Sequence, residues 1–234
     1  MKRIVVPTQS PEDWKRLLAK PDPHWKAGYS AMTLARSWED AQPGVPPEIA
    51  AALESADDPL LGGLRLLLAI PEYQVEVPGG RRPSQTDVLA LMRGPEGLVV
   101  VAVEGKVDEP FGPTVGEKRS EVSAGVDERL AWLIARLGFD SVPDTIRYQL
   151  LHRTVSALLI AERFDAGGAV MLVHSFSPTG RWFEDFAAFA SLFGVETGAG
   201  SILRINRPAG VPLFIGWCAG DQRFRERVSR QSGN

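Results

Sequence analysis

The sequence contains one cysteine, Cys218, among its 234 residues. A single thiol cannot form a disulfide within the chain, and a domain that needs none is typical of a reducing compartment. The three histidines lack the spacing of zinc ligands, so a structural zinc site is not expected either. The cysteine content therefore predicts a cytoplasmic protein.

A strong charge of one sign and a long apolar run are also missing. The 26 Lys and Arg residues nearly balance the 29 Asp and Glu residues, which gives a net charge of −3. This balance excludes a general basic coat for nucleic acid, though not a local basic face. The most apolar stretch, residues 60–70, is interrupted by Arg65 and is much shorter than the roughly 20 residues that cross a membrane. No apolar signal segment follows Met1, and we expect no membrane partner.

The order of apolar patterns predicts an α/β (α+β) fold in one domain, residues 1–234. Helical spacing predicts helices over residues 30–41, 48–68 with a break near Pro59 or Gly62, 127–137, 144–164, 183–193 and 223–230. Apolar and β-branched runs predict strands over 73–77, 86–93, 98–107, 169–174, 202–205 and 213–217. We expect a central mixed sheet that begins with a three-strand meander and is flanked by helices.

The turn between the second and third strands sets the pairing of a hairpin. A four-residue loop over residues 94–97 places Arg93 opposite Leu98. Continued along both strands, this register places Asp87 opposite Glu104. Since side chains alternate between the faces of a strand, Lys106 lies on the same face as these two carboxylates.

Two opposed carboxylates among apolar neighbours require a compensating charge. Like charges directly opposite each other destabilise a sheet, and buried carboxylates are costly unless they are paired or bind a metal ion. Either Lys106 neutralises the pair, or a cation lies between Asp87 and Glu104. Mg²⁺, with Mn²⁺ as its substitute, suits a site of one or two carboxylates. Gly105, between Glu104 and Lys106, is typical of a strand that a ligand or another backbone approaches closely.

Asp87, followed on the next strand by Glu104-Gly105-Lys106, resembles the Asp…Glu-x-Lys signature of the PD-(D/E)xK, or restriction-endonuclease-like, nuclease superfamily. The resemblance implies a restriction-endonuclease-like core over about residues 30–175 and a C-terminal extension over 176–234. It implies that Asp87, Glu104 and the carbonyl of Gly105 hold Mg²⁺ and that Lys106 assists the attacking water. The implied activity is metal-dependent hydrolysis of phosphodiesters, with DNA favoured over RNA as the partner. A homodimer is left open, because nucleases that cut both strands often dimerise.

The resemblance also implies two further residues. RecB-like members of the superfamily carry a Gln on the helix after the meander, and Gln149 is its candidate counterpart for binding substrate. An acidic residue on the first helix sometimes joins the metal site, and Glu39 is the candidate for this accessory role. The alternatives are a Gln149 that only caps a loop and a Glu39 that is only a solvated helix residue.

Further candidates lie next to the proposed site in sequence. Arg81 and Arg82 follow two glycines in a loop and are candidates for gripping phosphates, or else belong to a solvated turn. Gln85 precedes Asp87 by two residues, so it points to the same face. Glu72 and Glu76 also alternate on the first strand, which places them within reach of the site or on an ordinary polar face.

Two other functions compete with the nuclease hypothesis. The domain is alternatively a catalytically inactive, nuclease-like binding or assembly module, in which the charged residues form a structural ion-pair cluster. A third alternative is an unrelated α/β enzyme that uses His152 or His174, although no Gly-x-Ser-x-Gly motif accompanies them.

Overall fold

The computed structural model describes residues 8, 10–79, 82–121, 123–207 and 210–226. The strands in these residues are β1 (Arg65–Val75), β2 (Ser84–Gly94), β3 (Gly97–Lys106), β4 (Gly168–Ser175), β5 (Ile202–Ile205) and β6 (Leu213–Ala219). The helices are α1 (Pro11–Lys15), α2 (Pro21–His24), α3 (Ser30–Asp40), α4 (Pro47–Glu54), α5 (Val115–Arg119), α6 (Ala124–Leu137), α7 (Tyr148–Arg163) and α8 (Phe183–Ser191), with a 3₁₀ helix at Gln222–Arg225.

The strands form one mixed sheet in the order β1-β2-β3-β4-β6-β5. β1, β2 and β3 are an antiparallel meander, β4 pairs in parallel with β3 and with β6, and β5 is antiparallel to β6. The predicted mixed sheet with a three-strand meander and flanking helices is therefore confirmed. Every described helix is too short or too polar to span a membrane.

Each face of the sheet buries its own apolar cluster. On one face, residues such as Leu89 and Ala102 pack with α6, α7 and α8. On the other, residues such as Val88 and Val103 pack with α3, α4 and Trp14 of α1. Because β2 and β3 are covered on both sides, their sequences are nearly continuous apolar runs, as expected for fully buried strands. A polar residue on either strand is therefore placed in a dry environment.

The helical prediction for residues 48–68 is wrong in its second half. α4 ends at Glu54. β1 extends from Arg65 to Val75, so it begins well before the predicted start of this strand at residue 73. Gly63, with a φ of +62°, turns the chain between them, and β2 then pairs with β1 from Arg93 back to Ser84, with a register shift at Leu67. Short apolar runs fit either structure, and here pairing with a neighbouring strand decides between them.

Other predicted helix boundaries also differ from the structure, most clearly those of α7 and of the helix predicted over residues 223–230. α7 starts at Tyr148 with Arg147 as its N-cap, because Asp144 lies in the preceding loop beside α5 and forms an ion pair with Arg119. The predicted helix over residues 223–230 is a single 3₁₀ turn, Gln222–Arg225, and residues 227–230 lie outside the described residues.

Candidate functional site

The register predicted for the hairpin is present between β2 and β3. Arg93 pairs with Leu98, and the same register continues to Val88 and Val103. Asp87 is the next residue of β2, and its Oδ2 accepts a hydrogen bond of 2.9 Å from the backbone N–H of Gly105. The ends of the two strands therefore bring Asp87 next to Glu104, Gly105 and Lys106.

Glu104 is the centre of the charged site. It is 2% exposed, and both of its oxygens accept hydrogen bonds. Oε1 accepts from Lys106 Nζ at 2.7 Å and from Gln149 Nε2 at 2.7 Å. Oε2 accepts from Arg153 Nε at 2.5 Å. Three donors, two of them cationic, thus surround one buried carboxylate, which is the arrangement that lets a charge remain buried.

Lys106 is held by its neighbours in a defined position. Its ammonium group donates to Glu104 and also to Gln149 Oε1 at 3.2 Å. The same ammonium lies 4.9 Å from the ring centre of Phe111, within the range of a cation–π interaction. Lys106 is 5% exposed, so little water competes for these contacts. The position of this cation is therefore fixed at the base of the site.

Arg153 enters the site from α7, one helical turn after Gln149. Its Nη1 donates to Ser84 Oγ at 3.1 Å, and its Nη2 lies 3.7 Å from Asp87 Oδ1. Together with the bond to Glu104 Oε2, these contacts make the guanidinium a bridge between the two strand carboxylates. Arg153 is 8% exposed, so it belongs to the buried part of the site.

A hydrogen-bonded chain continues from Arg153 to His152. Ser84 Oγ lies 2.9 Å from Nδ1 of His152. Since the guanidinium only donates, Ser84 accepts from Arg153, and its own hydroxyl proton is available for Nδ1. Burial, assisted by the charge of Arg153, lowers the pKa of His152 well below its ordinary value. His152 is therefore neutral at physiological pH and able to accept this proton.

The carboxylates of the site differ sharply in acidity. Burial, followed by the charge of Glu104, raises the pKa of Asp87 to about 7, although Arg153 and Lys106 oppose the shift. Burial also disfavours the charged form of Glu104, but the charges of Arg153 and Lys106 outweigh it and lower the pKa of Glu104 to about 2. At neutral pH the site therefore contains one firmly ionised carboxylate and one that is balanced between its two forms.

Glu72 of β1 is a third carboxylate near the pair. Burial and then the charge of Asp87 raise its pKa well above the ordinary value. Its φ is +54°, a left-handed conformation that is uncommon for residues other than glycine. Glu72 lies between the ladder pairs that Pro71 and Tyr73 form with β2, and it lines the same cleft as Asp87. The structure therefore places one of the two glutamates considered on this strand in the site, while Glu76 is exposed.

These side chains lie at the base of a cleft of about 620 Å³. One wall comes from the segment after α1, including Leu18 and Lys20, and another from the loop and helix around Phe111 and Lys118. The base is formed by the ends of β2 and β3 and the first turns of α7. The volume lies within the range of about 300–1,000 Å³ that is typical of small-molecule sites.

The site residues predicted from sequence are only partly brought together. Gln85 lines the cleft, and its Nε2 donates to the carbonyl of Leu17 at 3.2 Å. Arg82 is exposed and is not among the residues that line the cleft. Arg81 lies outside the described residues. Of the four candidates for substrate binding, the described structure places Gln85 and Gln149 in the cleft.

Glu39 does not join the site. It lies near the C-terminal end of α3, where its Oε1 accepts hydrogen bonds of 2.6 Å from Thr8 Oγ1 and from Trp14 Nε1. Ser30 and Ala31, at the opposite end of the same helix, line the cleft. The accessory role suggested for Glu39 is therefore not supported by its position, because it anchors the N-terminal segment instead.

Gly105 has a structural reason for its missing side chain. A side chain at this position would point to the side of the sheet opposite the charged residues. Its Cβ would lie 3.0 Å from Cδ2 of Leu34 on α3. The glycine therefore lets α3 pack closely against β3. The group that approaches the backbone closely at Gly105 is therefore the side chain of Leu34.

The two histidines of the alternative hypothesis lie in different places. His174 is buried on the opposite face of the sheet, where its Nε2 is 2.8 Å from Glu48 Oε1 and its ring packs on Phe176. His152 lies in the cleft through its contact with Ser84. Because Asp87 and Glu104 are adjacent, the arrangement does not favour an enzyme built on His174.

The donor set limits how a metal ion is held. Among the described residues, no group of three or more His, Cys, Asp and Glu side chains is arranged to hold a metal ion. Mg²⁺ needs only one or two carboxylates when water and substrate oxygens complete its coordination. Burial is the main cause of the raised pKa of Asp87, and Arg153 and Lys106 oppose it only in part, so a further cation beside this carboxyl group would favour its ionised form. Asp87 and Glu104 therefore fit such an ion as a pair, without a protein cage around it.

Arg153 and Ser84 are the site residues that sequence reasoning missed. Arg153 follows Gln149 by four residues, so both lie on one face of α7. This spacing is the sequence feature that could have identified Arg153, since it places Arg153 on the helix face that carries Gln149. Ser84 precedes Asp87 by three residues, and no pattern in the sequence distinguishes it from a strand-end serine.

The fold and this cluster define a mixed α/β domain with a buried carboxylate–cation site in a cleft between its sheet and a helix. The family model of Domain of unknown function (DUF6946) matches residues 7–222, and the chain therefore belongs to this family. Comparison with curated proteins gave no match, and comparison with solved structures gave none.

Proposed function

We propose that the protein is a metal-dependent phosphodiesterase that cleaves nucleic acid, with DNA as the favoured substrate. One observation carries the proposal: Asp87 and Glu104-Gly105-Lys106 meet at the ends of two paired strands, at the base of a cleft. The strand order adds support, because an antiparallel meander followed by a helix and a parallel fourth strand is the order expected of a restriction-endonuclease-like core.

Asp87, Glu104 and the carbonyl of Gly105 are the groups that would hold Mg²⁺, with Mn²⁺ as a substitute. When bound, the ion would lower the pKa of a coordinated water and polarise a phosphoryl oxygen. Asp87 is suited to this role because a neighbouring cation favours its ionised form, which burial now opposes. Glu104 is already ionised at neutral pH.

Lys106 and Gln149 are proposed to act on the reacting groups themselves. The ammonium of Lys106, fixed by Glu104 and Gln149, is a charged donor for the attacking water and for the negative charge that develops on the phosphoryl oxygens. Gln149 keeps this donor in position and remains a hydrogen-bonding partner for substrate. Preorganised donors of this kind cost no reorganisation when the reaction occurs.

A cleavage assay tests the proposal. The wild-type protein is incubated with single-stranded DNA, duplex DNA and RNA in Mg²⁺ or Mn²⁺, beside Asp87→Asn, Glu104→Gln and Lys106→Met. Each substitution is expected to lower cleavage about 100-fold or more. The control is Glu128→Gln on the exposed surface of α6, which should cleave like the wild type. Full activity in all three cleft variants would refute the assignment.

A second candidate is a nuclease-like binding or assembly module without catalysis. It is favoured by the saturation of Glu104, whose two oxygens already accept from Lys106, Gln149 and Arg153. In this case the cluster is a complete structural ion network that needs no metal. Such a module should show no Mn²⁺-dependent thermal shift, whereas the phosphodiesterase should show one that Glu104→Gln abolishes.

A further inference from the structure

The contacts of Arg153 fall on a particular pair of carboxylate oxygens. Oε1 of Glu104 accepts from Lys106 and Gln149, and Oδ2 of Asp87 accepts from the backbone of Gly105. Each carboxylate then has one other oxygen, Oε2 of Glu104 and Oδ1 of Asp87. These are the two oxygens that the Arg153 guanidinium approaches, at 2.5 Å and 3.7 Å.

The same two oxygens are the ones a bridging cation would need. A cation bound between Asp87 and Glu104 has to contact one oxygen from each, and the other two are engaged by donors of the strands and of α7. The guanidinium therefore lies in the position where a divalent ion would have its protein ligands. Two positive groups do not share one pair of oxygens in a buried site without strong repulsion.

Arg153 is also well held when no other cation is present. Ser84 Oγ accepts from its Nη1, so the planar group is oriented by a neutral partner besides the carboxylates. The charges of Glu104, Asp87 and Glu72 offset the cost of burial and raise the pKa of the guanidinium. The side chain remains charged throughout the accessible pH range and supplies one positive charge to a group of three carboxylates.

We propose that Arg153 is the resident counter-ion of the Asp87–Glu104 pair and that it competes with a divalent cation for Asp87 Oδ1 and Glu104 Oε2. The inference rests on the proposed function because it concerns the same carboxylates. Arg153 is a positioning residue: its charge favours the ionised forms of both carboxylates, and its contacts hold them in place until a metal ion displaces its guanidinium. It also sets a threshold for the metal concentration at which the site fills.

The experiment measures Mn²⁺ binding without substrate. The wild type and Arg153→Met are titrated with MnCl₂ by calorimetry at pH 7.5 after treatment with a chelator and its removal. Methionine keeps a long apolar stem but removes the competing charge. The matched control is Arg163→Met, which removes an exposed arginine of the same helix that donates to Tyr73. A third variant, Arg153→Met with Glu104→Gln, removes one of the contested ligands.

Arg153→Met is expected to bind Mn²⁺ about tenfold or more tightly than the wild type, a difference of about 1.4 kcal/mol. Arg163→Met should match the wild type, and the double variant should lose the gain. Binding by Arg153→Met that equals or falls below that of the wild type would overturn the proposal, as would absence of binding in both. Cleavage is assayed separately, so an inactive protein that shows the tenfold gain would contradict only the proposed function.

A second variant covers the case in which Arg153→Met does not fold without metal. Arg153→Lys keeps the charge but cannot reach both oxygens with a planar fork. Its melting temperature is measured with a chelator and with Mn²⁺. The proposal requires Mn²⁺ to raise the melting temperature of Arg153→Lys more than that of the wild type. An equal or smaller rise would contradict it.

Discussion

The backbone N–H of Gly105 donates to Oδ2 of Asp87 over 2.9 Å and so joins the ends of β2 and β3 on the cleft side of the sheet. The bond fixes one oxygen of Asp87 and leaves the other directed toward Arg153. A main-chain donor has little freedom to move, so the orientation of this carboxyl group is set by the register of the hairpin. The turn at residues 94–97 therefore determines the geometry of a site at the far end of the same strands.

Replacing Asp87 with asparagine should stabilise the metal-free protein at high pH. Asp87 titrates near pH 7 in the folded protein and near 3.8 when unfolded. Between these values only the folded chain holds the proton, so the stability due to this residue is complete below pH 3.8 and is lost as pH rises through 7. Asparagine is neutral, and its side-chain oxygen can still accept the hydrogen bond from the backbone N–H of Gly105.

The advantage of Asp87→Asn should therefore grow between pH 4 and 7 and stay constant above, at up to about 4 kcal/mol. Urea denaturation from pH 4.5 to 8.5 in the presence of a chelator measures it. A gap between variant and wild type that is independent of pH would show that Asp87 is ionised throughout.

Replacing Glu104 with glutamine should have the opposite effect. Lys106 and Arg153 would remain buried without their shared counter-ion, and breaking a buried ion pair in this way costs about 3–5 kcal/mol. The pKa of Glu104 is about 2 in the folded protein and 4.5 when unfolded, so its contribution is present above pH 4.5 and is lost as pH falls through 2.

The free energy of unfolding at pH 7 measures the loss for Glu104→Gln. Glu128→Gln on the exposed face of α6 is the matched control and should change stability by less than about 0.5 kcal/mol. Equal stabilities of the two variants would mean that the ion network around Glu104 contributes nothing to the fold.

Replacing Gly105 with alanine should destabilise the protein through the face of the sheet behind the cleft. The added Cβ would lie 3.0 Å from Cδ2 of Leu34, and overpacking of this kind costs about 1–3 kcal/mol. Leu34→Ala alone leaves a cavity and costs about 2–5 kcal/mol. In the double variant the smaller side chain makes room for the new methyl group.

A double-mutant cycle of thermal or urea unfolding tests this contact. The loss in the double variant should be smaller than the sum of the two single losses. Strict additivity would indicate that Leu34 does not limit the space behind Gly105.

Replacing His174 with alanine should lower stability and leave cleavage by the folded protein unchanged. His174 is buried beside Glu48, on the face of the sheet opposite the cleft, so the substitution removes a packed ring and a hydrogen-bonded partner at a cost of about 2–4 kcal/mol. Burial lowers the pKa of His174 despite the bond to Glu48, so its contribution is present above pH 6.5 and diminishes as the pH falls below that value.

Unfolding measurements at pH 8 and pH 5.5 should show a smaller difference between His174→Ala and the wild type at the lower pH. Cleavage is measured on the same preparations after their far-ultraviolet circular dichroism shows them folded. Loss of cleavage in a folded His174→Ala protein would favour the histidine-based enzyme over the nuclease hypothesis.

The hairpin and helix α3 could be predicted because their signals are local. The apolar runs of β2 and β3 and the glycines of their turn lie close together in sequence, and the register follows from the turn. The structure of residues 65–68 does not follow from local sequence, since these residues form a strand only because β2 lies beside them. Local sequence patterns therefore predict a strand correctly where its pairing partner is the next segment of the chain.

The residues of the candidate site can likewise be separated into those whose proximity follows from local sequence and those whose proximity does not. Asp87, Glu104 and Lys106 belong to one hairpin, so their proximity follows from pairing. The spacing from Gln149 places Arg153 on the same face of α7, but the bridge that Arg153 makes also depends on how α7 lies across the sheet. The position of Glu39 is likewise decided by the packing of Trp14 against α3.

The wall of the cleft nearest the N-terminus is attached at two places, one beside the charged residues at Gln85 and one away from them at Glu39. Gln85 donates to the carbonyl of Leu17, and Trp14 donates to Glu39 at the far end of α3. Short peripheral segments open at a lower free energy than the strands of a central sheet. Leu18 and Lys20 form one wall of the cleft on a segment of chain that supplies neither carboxylate, so a change in this segment would alter the shape of the cleft and leave the ligands of the site in place.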